Sequence, residues 1–220
     1  MNKIEKLYNS SIYKIFDQVY KLVMFNLLFI LTTVIGLGIF GYMIALIILV
    51  LAIKSLINNH EFSIVKTWVI NIKLHYKKAL KLSLFFTFFG VLFTYNTLFF
   101  YLAINEGAHF INVVLFYVML ILDLLLVFGL VNSAFIFVYF PSLEMKKIII
   151  NSFLLIQVIP LQAIFLLSMI GLLVFLLYIA PLPLIFIGFS LTIYLFGISI
   201  NYTYLRLVDR NSKSLDIRDI

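Results

Sequence analysis

Thirty-two consecutive residues, 22–53, carry no charge: LVMFNLLFILTTVIGLGIFGYMIALIILVLAI. The hydrocarbon core of a bilayer is about 30 Å thick and takes about 20 helical residues, so one straight span does not use up the run and two full spans barely fit it. Gly36, Gly38 and Gly41 cluster near its middle, where a tight break costs least backbone strain. The run reads as a hairpin of two short or kinked helices, closed by Lys21 and Lys54 on one membrane face.

The same arithmetic parses the rest of the chain. In residues 1–21, Ile4, Leu7, Tyr8, Ile12, Ile15, Phe16 and Val19 recur at helical steps opposite Lys6, Lys14, Asp17, Gln18 and Lys21. This pattern predicts an amphipathic helix in the cytoplasmic interface, turning into spans at 22–36 and 38–54. Residues 55–81 form the one long polar stretch, a basic cytoplasmic loop with helical spacing at Val65, Trp68, Val69, Ile72 and Tyr76. Lys66, Lys73, Lys77 and Lys81 lie opposite, and Trp68, the sole tryptophan, suits the headgroup zone. Two compatible roles follow for this segment: an anchor on anionic lipid, or a docking helix for a partner's cytoplasmic surface.

A span at 82–104 ends in Asn105-Glu106-Gly107-Ala108-His109, a loop without Lys or Arg that should face outward. The next span, 110–139, is long enough to require tilt or protrusion, and closes at the inside turn Phe140-Pro141-Ser142-Leu143-Glu144-Met145-Lys146-Lys147. Residues 148–205 are again uncharged. Their prolines divide them into an interfacial or buried helix at 148–158 and spans at 160–179 and 184–204, with Ala180-Pro181-Leu182-Pro183 as the outside turn. Three spans here would carry Arg206, Arg210, Lys213 and Arg218 outside, against the charge rule. The expected fold is an all-α integral membrane protein: a six-helix transmembrane bundle, one polytopic domain over residues 1–220, with an N-terminal amphipathic helix and both termini inside.

Composition narrows the function. Apolar residues make up 65% of the chain, against about half in soluble domains. The net charge of +7 invites a nucleic-acid reading, but this topology puts all sixteen Lys and Arg on one side, which is membrane orientation. The absence of cysteine excludes disulfides, thiolate metal sites and cysteine nucleophiles. Acidic residues Glu5 and Asp17 in the first 21, without an A-x-A-like site, argue against a cleaved signal peptide. There is no P-loop, HExxH, GxSxG or GxGxxG, and His60, His75 and His109 stand alone, so no enzyme, cofactor or metal site is expected.

One acid stands inside a span. Asp123, in Leu120-Ile121-Leu122-Asp123-Leu124, costs a few kcal/mol there and should face the bundle interior, paired or protonated. Asn26, Asn96, Asn132, Tyr95 and Tyr117 are its candidate partners, and no cation lies in any span. Asp123, Asn26, Asn96 and Asn132 therefore make the candidate intramembrane polar site. Its two readings are interhelical glue and a proton or cation relay, and a lone acid without a relay chain favours glue.

The N-terminal third shows Asn26-Leu27-Leu28-Phe29-Ile30-Leu31, then Thr33, Gly36, Phe40-Gly41 and Ala45, then Ile64-Val65-Lys66-Thr67-Trp68 and Tyr76-Lys77-Lys78. Further on come Phe137-Val138-Tyr139-Phe140-Pro141, a basic pair, Asn151-Ser152-Phe153-Leu154 and Pro160. In this order the chain resembles the YesL-like family of bacterial membrane proteins, a family of unknown function. Where that family carries a proline–alanine pair after the glycine turn, Met43 and Ile44 precede Ala45 here. The family is typically encoded beside carbohydrate ABC importers in Gram-positive bacteria. The resemblance thus implies a non-enzymatic accessory subunit in the bacterial plasma membrane, bound to an importer's transmembrane subunits. The alternative is an autonomous small transporter or channel that uses Asp123.

Overall fold

Between Tyr42 and Ile57 apolar residues occupy every face of the helix. A helix that is apolar all round is stable only where protein or lipid covers all of it. The computed structural model shows protein doing so. It describes residues 11–58, 63–107, 109–158 and 160–201, and all regular structure among them is helical. Seven helices follow in order: α1 Ser11–Ile35, α2 Tyr42–Ile57, α3 Ile64–Glu106, α4 Phe110–Tyr139, α5 Met145–Val158, α6 Pro160–Ile179 and α7 Pro181–Asn201. Residues 1–10, His60 and the arginines beyond residue 201 fall outside this description.

α2 is the centre, packed by α1, α3 and α4. Eleven of its sixteen residues are buried, Met43, Ala45, Ile47, Leu49 and Val50 completely. At sixteen residues it is about 24 Å long, short of the hydrocarbon thickness. Five helices (α1, α3, α4, α6 and α7) are long and apolar enough to cross a membrane. In the stretch read as a span at 38–54 the helix is the shorter Tyr42–Ile57, clad in protein.

Its length is lost to the glycine turn. Residues 36–41 form a tight turn in which Leu37 takes φ 54° and Gly38 φ 71°. A Cβ on Gly36 would stand 2.3 Å from the Gly41 Cα, and one on Gly41 2.5 Å from the Thr32 carbonyl. The two strands of chain touch backbone to backbone, which only glycine allows. Tyr42 donates to the Ser83 carbonyl at 3.1 Å, and the Ser83 hydroxyl donates to that of Ile39, so α3 clasps the turn. At the far end of α2 the Lys54 ammonium lies 4.1 Å from the Tyr139 ring centre, and the Tyr139 hydroxyl donates to the side-chain amide oxygen of Asn201. The carboxy ends of α2, α4 and α7 therefore meet.

Three expected boundaries shift. No turn separates an interfacial helix from a span at residue 21, because α1 runs unbroken through it and the Asp17–Lys21 ion pair at 2.6 Å bridges that very turn. The basic segment at 55–81 is not a loop from Ile64 onward: it is continuous with the span expected at 82–104, in one 43-residue helix about 65 Å long. The pattern changes from charged to uncharged at residue 82, yet no glycine or proline occurs between Ile64 and Gly90 to stop the helix. Of Ala180-Pro181-Leu182-Pro183 only Ala180 is non-helical; Pro181 opens α7, a position where its missing N–H matters least. α4 and α6 coincide with the stretches 110–139 and 160–179.

Burial divides the α3–α4 pair in two. The buried residues of α3 end at Phe86 and those of α4 begin at Leu126. Between residues 87 and 125 no described residue is buried, although Leu98, Phe99, Leu102, Ile111, Val114 and Ile121 all lie there. Two apolar helices thus extend beyond the packed bundle as a distal hairpin.

Candidate functional site

The residues of the expected polar site do not come together. Asn26, fully buried on α1, reaches α7. Its amide nitrogen donates to the carbonyls of Leu184 at 3.2 Å and Ile185 at 2.7 Å, and its oxygen accepts the Ser190 N–H at 2.9 Å. The cause is the backbone of α7, which winds as a π-helix over Leu184–Gly188. A π turn shifts the hydrogen-bond frame by one residue and displaces carbonyls and an amide from their usual partners. In an apolar interior each unpaired group costs several kcal/mol, and one asparagine satisfies three. Gly188 keeps the turn thin: a Cβ there would meet the Leu184 side chain at 2.6 Å.

Asn132 donates within α4 to the Phe128 carbonyl at 3.0 Å, and Asn96 within α3 to that of Leu92 at 2.7 Å. Asp123 is answered instead by Thr97 at 2.6 Å and Thr94 at 3.3 Å, both on α3. Thr94, nearly as far before the Gly107–His109 loop as Asp123 is after it, was the signal available in the sequence, with Thr97 one turn further on. With the same rise per residue in both helices of an antiparallel pair, positions equally far from the loop lie level. The carboxylate is half-buried in the seam of the distal hairpin, and Thr94 is exposed. Two hydroxyl donors on one acid make a clasp between helices.

The basic face of α3 also differs from its reading. Lys66, Lys73, Lys77 and Lys81 are exposed, as is Lys78 beside them. Trp68 is not exposed beside them: it is 3% exposed and turned the other way, its indole N–H donating to the Thr32 hydroxyl of α1 at 2.9 Å. A buried indole needs an acceptor, and Thr32 supplies it. His75 lies edge-on to Phe137 with ring centres 5.4 Å apart, and Lys78 donates to the Pro141 carbonyl at 3.3 Å. These contacts fasten the lysine-bearing part of α3 to the end of α4 and the turn after it.

An apolar cavity of about 300 Å³ lies where α1, α2, α4, α6 and α7 meet, lined by Phe29, Leu46, Leu130, Leu166, Leu173 and Leu184 among others. Asp123 does not line it. This apolar cavity and the acid of the distal hairpin are separate features.

Residues 22–97 match the family model described as "Protein of unknown function, DUF624", which covers α1 from Leu22, α2 and most of α3. No curated protein and no solved structure matches the chain. Over just over a third of its length, then, this all-helical membrane protein is similar to an uncharacterised family, consistent with the YesL-like resemblance.

Proposed function

We propose that the chain is a non-enzymatic accessory subunit of a bacterial plasma-membrane carbohydrate ABC importer, with both termini cytoplasmic, and that it holds the importer's transmembrane subunits along the distal α3–α4 hairpin. The importer comes from the YesL-like resemblance. The contact surface rests on one observation: the half-buried carboxylate of Asp123 in a hairpin whose described residues 87–125 are nowhere buried. A carboxylate left open on a surface facing hydrocarbon costs several kcal/mol, and a partner helix laid over the seam removes that exposure. An autonomous transporter would need polar groups converging on a path through the bundle. The cavity there is apolar and Asp123 lies away from it.

The test is affinity purification of the tagged chain from its native host in mild detergent, with mass spectrometry of what accompanies it. The expected result is near-stoichiometric sugar-permease transmembrane subunits, depleted when Asp123→Leu is the bait. A chain recovered alone across several detergents overturns the proposal. Liposome flux abolished by Asp123→Asn in a correctly inserted protein would move the function to transport.

A further inference from the structure

Among the described residues no carboxylate pairs with the lysines of α3. Lys73, Lys77 and Lys81 follow one another at four-residue steps along the exposed side of α3, and Lys78 stands on the adjoining ridge. The only ion pair among the described residues, Lys21 with Asp17, belongs to α1, so no described carboxylate lies within ion-pair reach of these four. Like charges at such spacing repel, and an array of them persists most easily where an anion is bound.

The structure shapes a place for one. A pocket of about 320 Å³ opens between α3 and the end of α4, bordered by Lys73, Lys77, Lys78, His75, Phe137 and Pro141. Lys78 is steered into position by the Pro141 carbonyl at 3.3 Å, and His75 is braced edge-on against Phe137. The lining mixes ammonium groups with exposed Leu74 and the Phe137 ring. Tyr76 borders both this pocket and a second of about 390 Å³ beside the glycine turn, lined by Ile35, Phe40 and Ile44.

Depth decides which anion. The uncharged run of α3 begins at Leu82, about 7 Å along the helix from Lys77. Cations that close to the start of an apolar span sit at the level of lipid phosphates, where basic pockets between membrane helices take anionic headgroups. We infer that the pocket between Lys73, Lys77, Lys78 and Pro141 binds the phosphate of an anionic phospholipid, whose acyl chains lie along the apolar surface next to it. This inference rests on the membrane location alone and is independent of any importer.

The test uses the full chain in nanodiscs of phosphatidylcholine doped with a photoactivatable phosphatidylglycerol, with adducts mapped by mass spectrometry. Labelling should concentrate on residues 73–78 and the α4–α5 turn. At about fivefold per lysine, Lys73→Gln/Lys77→Gln/Lys78→Gln together should lower it by well over tenfold. Lys146→Gln/Lys147→Gln, a control that removes two charges at the start of α5, should lower it by less than about twofold. Lys77 makes no hydrogen bond among the described residues, so Lys77→Gln alone, with an expected drop of about fivefold, covers the case in which the triple variant does not fold. Labelling that is equal in the triple variant and the control overturns the site. Labelling stripped by excess inorganic phosphate reassigns it to a soluble anion and overturns the lipid. Crosslinks from position 77 to an acidic protein segment in native membranes, with lipid labelling unmoved, overturn it as well.

Discussion

The α1–α2 hairpin and the distal α3–α4 hairpin are alike in composition and opposite in environment. Both are long apolar helix pairs, the second charged at Asp123 and, at its tip, Glu106. In the first, polar groups are answered from other helices: Asn26 from α7, Thr32 from Trp68, and Tyr42 from Ser83. Its turn is closed by glycines in backbone contact. In the second, no described residue is buried between 87 and 125, and Asp123 is answered only from the adjoining helix. Hydropathy says that a surface must be covered without saying by what. The first hairpin is covered by its own chain; the second is left to lipid or a partner.

The difference is sharpest at the turns. Gly41→Leu pushes a side chain into the Thr32 and Thr33 carbonyls, which lie 2.5 and 2.8 Å from a Cβ. The expected loss exceeds about 4 kcal/mol, read as loss of monodisperse protein after detergent extraction. Next comes Asn26→Leu, which strands two carbonyls and an amide in an apolar interior. It should destabilise by about 3 kcal/mol, seen as a lowered melting temperature. Ile47→Ala, at a fully buried position of α2, should cost about 2–4 kcal/mol, whereas Leu102→Ala in the distal hairpin should stay within about 0.5 kcal/mol. Equal losses at Ile47 and Leu102 would break the comparison. Asp123→Asn keeps an acceptor for Thr97 and should change stability in detergent by less than about 1 kcal/mol. Gly107→Ala should do least: a Cβ there meets nothing within 4 Å, and its φ of 167° is ordinary extended backbone.

The features legible in the sequence were those set by turn residues. The three glycines located the turn of the first hairpin, although α1 runs on through Lys21 and α2 past Lys54, and Pro160 marks the start of α6. What stayed hidden has two physical causes. A change of polarity does not stop a helix, so the join at residue 82 that makes α3 one 43-residue rod left no mark. Pairing across the fold has no local signature either. Nothing near Asn26 announces a π turn more than 150 residues away, and the burial of Trp68 depends on a threonine of α1. Thr94 is the exception, because its register with Asp123 follows from counting out from the loop.

The most direct test places a photo-crosslinking amino acid at Leu98 or Tyr117 on the distal hairpin, and at Leu161 on α6 as an even more exposed apolar control. Each variant is irradiated in membranes of the native host and its adducts identified. If the distal hairpin is the partner surface, Leu98 and Tyr117 will yield protein adducts containing permease transmembrane segments, while Leu161 yields lipid. Lipid adducts alone at all three positions would contradict it and leave the distal hairpin a lipid-facing extension.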